Sequence, residues 1–133
     1  MKTLIIGIPS GFDEPHLMQE VVFKFLEKRK IKYLKDYEIL YLADLPSSVH
    51  IEKLIHDWDL SYRGFKSTKD NPTNRDKILV IKDMIKAGKD GDTLVFFSPS
   101  DDDIGNKILL DQCHNEHHLY VGTVRTDRGN EIF

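Results

Sequence analysis

Glycines, hydroxyls, carboxylates and one arginine recur at the ends of apolar runs in this chain. That placement suits the binding of a small anionic molecule. Gly7, Ser10, Gly11 and Asp13 follow the run of Leu4, Ile5, Ile6 and Ile8. Asp44 and Ser47 follow the apolar stretch at 37–42, and Asn74 with Arg75 closes the polar connection KSTKDNPT at 66–73. Ser98, Asp103, Gly105 and Asn106 follow TLVFF at 93–97. Helix starts at such places expose backbone N–H groups, which suit phosphate or carboxylate. The planar fork of Arg75 offers bidentate, charge-assisted bonds to an anion. The competing reading of Arg75 is a surface salt bridge to Asp70 or Asp76, worth at most about 1 kcal/mol. Asp101, Asp102 and Asp103 are open to three readings: ribose hydroxyl binding, metal binding, or solvation of a loop with Asp103 capping the next helix.

Other reactive residue types have plainer explanations. His114, His117 and His118 cluster without Cys or Glu at ligand spacing, so no metal is expected. Cys113, the single cysteine, reads as a packed thiol. Trp58 lies between Asp57 and Asp59 and reads as a half-buried packing residue. Lys28, Arg29 and Lys30 read as a solvated helix end facing the macrodipole. No Ser-His-Asp arrangement, P-loop, H-E-x-x-H or G-x-G-x-x-G motif is present, and no cofactor is expected.

The elements that must position the candidate residues alternate strictly. The run of Leu4, Ile5, Ile6 and Ile8 reads as a strand buried on both faces, because it leaves little room for a solvent side, and a loop follows from Gly7. Helical spacing of Leu17, Val21, Val22, Phe25 and Leu26 predicts a helix over 15–30. Strands are expected at 37–42, 60–65, 93–97 and 118–124, and further helices at 49–56, 74–87 and 104–115. Gly88 is expected to stop the third helix. The polar end, 125–133, reads as a loosely held tail behind a single domain at 1–124. Strand and helix in alternation imply an α/β fold, a Rossmann-like three-layer sandwich with a parallel sheet. The two most apolar strands, the first and fourth, belong at its centre. The expected order is 3-2-1-4-5, which puts a switch point between them and a ligand beyond their carboxyl ends.

Composition sets limits on function. The chain has 133 residues, 40% hydrophobic and 31% charged, enough for one packed core. A net charge of -3 argues against broad nucleic-acid binding, while leaving room for a local basic patch. One cysteine allows no internal disulfide, which points to a reducing, cytoplasmic setting. The first apolar stretch is too short for a membrane span or a signal peptide.

Taken together the segments resemble the SLOG superfamily of Rossmann-like nucleotide-binding proteins, which includes the LOG-type phosphoribohydrolases and the DNA-processing protein A fold. The resemblance spans 2–124. It is carried by Gly7, Ser10 and Phe12-Asp13 in the first turn, by Asn74-Arg75 opening the third helix, and by Gly105-Asn106 opening the last. The turn from Ala43 to Ser47 lacks the family's glycine, and the family's doubled glycine is missing from SPSDDDIG. Where LOG enzymes and the related deoxyribosyltransferases carry a catalytic Glu, Leu109 stands here, and an aliphatic chain cannot act as acid, base or nucleophile. The resemblance therefore implies a nucleotide or nucleotide-derived ligand, held by a sensor or sequestering protein of bacterial or phage type.

Two alternatives stand beside this reading. One is an enzyme acting at an N-glycosidic bond, with Asp13, Asp101, Asp102 or Asp103 replacing the missing Glu. The other is a protein-interaction domain with a degenerate pocket. Relatives of the fold commonly pair through helices, and Ile51, Ile55, Ile81 and Ile85 are expected to be exposed enough to drive homo-oligomer formation. The opposing reading packs all four on the sheet.

Overall fold

The structure is a computed structural model, and it describes residues 2–7, 15–43, 47–88, 92–97, 120–125 and 131–132. It is an α/β fold. The elements in order are β1 (Lys2–Gly7), α1 (Pro15–Lys28), a 3-10 turn (Leu34–Asp36), β2 (Tyr37–Leu42), α2 (Ser48–Trp58), β3 (Ser61–Phe65), α3 (Asn74–Ala87), β4 (Asp92–Phe97), β5 (Tyr120–Arg125) and β6 (Glu131–Ile132). The helix expected over 104–115 lies outside the described residues.

β1 and β2 pair in parallel with Leu4 opposite Ile39 and Ile6 opposite Tyr41. β3 joins β2 in parallel on the outer side. β4 runs parallel beside β1, and β5 parallel beside β4. The whole sheet reads β3-β2-β1-β4-β5-β6. The tail is not simply loose: Glu131 and Ile132 pair antiparallel with Arg125 and Val124. A two-residue strand leaves no periodic pattern, so its partner alone defines it.

Each face of the sheet carries its own core, because alternate strand residues point to opposite sides. Leu4, Ile6, Ile39 and Tyr41 pack with Met18, Val22 and Phe25 of α1 and Ile51, Leu54 and Ile55 of α2. Ile5, Leu40 and Leu42 pack on the other face with Ile81, Met84 and Ile85 of α3. Crossing from β3 to β4 therefore takes the chain to the opposite layer. Ile51, Ile55, Ile81 and Ile85, expected to be exposed, are all buried. Their stripes face the sheet, and the exposed apolar side chains on these helices are Val49, Trp58 and Leu79. Trp58 meets Phe23 of α1 edge-on at 4.9 Å.

Helix ends follow sequence closely. α3 opens with a capping box: Asp76 N–H donates to Thr73 Oγ1 (3.3 Å), and Thr73 N–H donates to the Asp76 carboxylate (2.9 Å). α1 closes in a Schellman motif, with Ile31 N–H to Leu26 carbonyl (2.9 Å) and Lys30 N–H to Glu27 carbonyl (3.1 Å). α2 closes the same way, with Leu60 N–H to Ile55 carbonyl (3.0 Å) and Asp59 N–H to His56 carbonyl (3.3 Å). Gly88 ends α3 in an extended conformation (φ -82°, ψ 110°), not a left-handed one. Its value is spatial, since a Cβ there would lie 3.1 Å from Ile5 Cδ1.

Candidate functional site

Parallel strands end together, so the carboxyl ends of β1, β2 and β3 form one edge. α2 and α3 both begin at that edge, on opposite layers of the sheet. Gly7 closes β1 there and is buried. Ser47 directly precedes α2, with its residue only 1% exposed. Its backbone is helical (φ -74°, ψ -10°), and its carbonyl accepts from His50 N–H at 3.1 Å. The Ser47 side chain does not cap the helix, and Oγ has no hydrogen-bond partner among the described residues. A buried, unpartnered hydroxyl costs about 1–3 kcal/mol, so it calls for an explanation. Its neighbour Ser48 is also buried, but its hydroxyl lies 3.4 Å from both the Ala43 carbonyl and Glu52 Oε1.

Across the sheet, Asn74 is the first residue of α3, and Arg75 follows it, exposed. The expected competitors for Arg75 do not hold it. Asp76 is taken by Lys69 Nζ at 3.0 Å and by Thr73, and among the described residues Arg75 has no ion pair. Those bonds hold the Asp76 carboxyl below its ordinary pKa, the Thr73 backbone N–H first and Lys69 next. Ser10, Gly11, Asp13, Asp44, Ser98, Asp103, Gly105 and Asn106 lie outside the described residues, as do Asp101, Asp102, Leu109, Cys113 and the histidines of 114–118. The structure thus puts Gly7, Ser47, Asn74 and Arg75 at one edge, Ser47 on the α2 layer and Asn74 and Arg75 on the α3 layer.

Two features were missed from sequence. The Thr73-x-x-Asp76 spacing, which overlaps Asn74-Arg75, is a readable capping signal. The second is a cavity of about 220 Å³ between α2 and the edge strand β3, lined by Tyr41, Glu52, His56, Asp59 and Tyr62 among others. Tyr41 and Tyr62 rings lie 6.5 Å apart. Burial first, then the Glu52 carboxylate, pushes the Tyr41 hydroxyl up to about 12. Gly64 keeps this wall close, since a Cβ there would come within 3.0 Å of Ala43 Cβ and 3.4 Å of the Tyr41 ring. No local spacing announces that cluster, because it joins residues of three elements.

Among the described residues no group of three or more His, Cys, Asp or Glu could hold a metal ion. No described helix is long and apolar enough to cross a membrane. No family model, curated protein or solved structure matches this chain.

Proposed function

We propose that the chain binds a nucleotide or nucleotide-derived small molecule at the carboxyl edge of its sheet, as a sensor or sequestering protein. The observation that carries this reading is the Ser47 hydroxyl, buried without a partner among the described residues where α2 exposes its first N–H groups. A phosphate or ribose oxygen there would give Ser47 the bond it lacks, in the field of a helix N-terminus. Arg75 at the start of α3, which has no ion pair among the described residues, is a second donor for an anionic group. The Rossmann-like frame, with five parallel strands ordered 3-2-1-4-5 and a switch point beside β1, belongs to the same proposal. So do the cytoplasmic setting and the homo-oligomer, although burial of the four isoleucines removes the original ground for the oligomer. Val49 and Leu79 are the exposed apolar residues that a helix-mediated pairing would use.

Incubating the chain with a panel of nucleotides and deoxynucleosides tests the reading. Saturation near 100 times Kd adds about 2.7 kcal/mol to stability, so the melting temperature should rise by several degrees without base release. Release of free base would instead establish glycosidic chemistry by the carboxylates of the loops. No thermal shift with any member of the panel would leave the interaction-domain reading.

A further inference from the structure

A second concavity, of about 700 Å³, lies at the opposite, amino-terminal edge of the sheet. Its basic lining comes from Lys2 at the start of β1, Arg29 and Lys30 at the end of α1, and Lys32 and Lys35 in the connection to β2. Among the described residues Asp36 is the one acid on that wall, so their lining is strongly cationic in a chain of net charge -3. The macrodipole of α1 does not explain this. It amounts to about half a charge and fades within the last turn, which leaves Lys2, Lys32 and Lys35 unaccounted for. Elsewhere Lys24 pairs with Glu20, Lys53 with Asp57 and Lys69 with Asp76. Among the described residues Lys2, Lys30, Lys32 and Lys35 have no ion pair.

Backbone conformation at Lys30 is a separate observation. Lys30 closes α1 with φ 57°, in the left-handed region where glycine is usual. Asp59 closes α2 at φ 51°, but aspartate tolerates that region and lysine does not benefit in the same way. Lys30 thus keeps a cation on the rim of the basin against the local backbone preference. Next to it, Tyr33 is 67% exposed in extended backbone, and its ring joins no aromatic or cation pair among the described residues.

We propose that this basin binds single-stranded nucleic acid, with successive phosphodiesters along the lysines and one base stacked on Tyr33. Lysines on flexible stems follow a backbone rather than fix one rigid ligand. An open ring face takes an unstacked base, which a duplex does not offer. The acidic balance of the rest of the chain confines the footprint to a few nucleotides. β1 separates this basin from Ser47 by on the order of 17 Å, so the two sites stand or fall independently.

Fluorescence anisotropy with labelled 12-mer oligothymidylate and oligouridylate and the full chain tests the proposal. About four phosphate contacts at a slope of roughly 0.7 each predict about a 50-fold loss of affinity between 50 and 200 mM salt. Tyr33→Ala should weaken binding by roughly 5- to 150-fold, and Tyr33→Phe should retain it. Lys30→Gly should lower the salt slope by about 0.7 while raising the melting temperature, which separates loss of contact from loss of fold. Lys32→Glu combined with Lys35→Glu should abolish binding in a chain that melts normally. No binding at 50 mM salt would overturn the proposal, as would binding that survives the double reversal. Equal affinity for a 12-bp duplex or for inorganic polyphosphate, with Tyr33→Ala unchanged, would reduce the basin to a general polyanion patch and overturn it too. Capture by phosphatidylserine vesicles without oligonucleotide binding would assign it to membranes instead.

Discussion

Single residues carry the sharpest consequences. Lys30→Gly should stabilise the fold by about 0.5–1 kcal/mol, because the left-handed conformation costs glycine nothing. A urea midpoint shifted upward with unchanged slope would show it. Thr73→Ala removes the hydroxyl that accepts from Asp76 N–H and should cost about 0.5–2 kcal/mol in the same measurement. Tyr41 adds a pH dependence. Its folded pKa, about 12, lies above the ordinary 10.0, so the folded state favours the protonated phenol. The corresponding stability is complete below about pH 10 and drains away as pH rises toward 12. Urea midpoints at pH 9 and pH 11 should therefore differ more for the wild-type chain than for Tyr41→Phe.

Elements differ in how plainly sequence announces them. β2 and α3 were readable to the residue, one as a run of strand formers between polar turns, the other as a stripe between the polar connection at 66–73 and Gly88. α1, α2, β3, β4 and β5 shifted by one or two residues at their ends, where neighbouring hydrogen bonds decide the boundary. The stripe on a helix does not say what covers it. Ile51 and Ile81 are apolar whether they meet a sheet or a second subunit, and only the layered packing showed the sheet. Site residues on loops were nameable by type, and Arg75 and Ser47 do lie at one edge. Ser47's unmet hydroxyl could not be foreseen, because burial of a turn residue depends on the packing of α2. The basic basin was half visible: the run from Lys28 to Lys35 stands in the sequence, but Lys2 joins it only through the pairing of β1 with β2 opposite Tyr37. Gly64→Val tests an element-scale claim. The added Cβ would press on Ala43 and Tyr41, and a loss of about 1–3 kcal/mol is expected from overpacking.

At the scale of the molecule, two ends of one sheet have opposite characters. The amino-terminal edge gathers cations around an open basin. The carboxyl edge gathers helix starts, a buried hydroxyl and an arginine with no ion pair among the described residues. The central claim is that a nucleotide occupies the carboxyl edge. Titration calorimetry with nucleoside 5′-monophosphates, on the wild-type chain and on Ser47→Ala and Arg75→Ala, tests it most directly. The account predicts saturable binding to the wild-type chain and a loss of about 1.5–3 kcal/mol in Arg75→Ala, the range for hydrogen bonds to a charged group. Ser47→Ala should bind more weakly too, with a melting temperature in the absence of nucleotide no lower than that of the wild-type chain. Heat of binding absent for every nucleotide, or affinity unchanged in both variants, would contradict it.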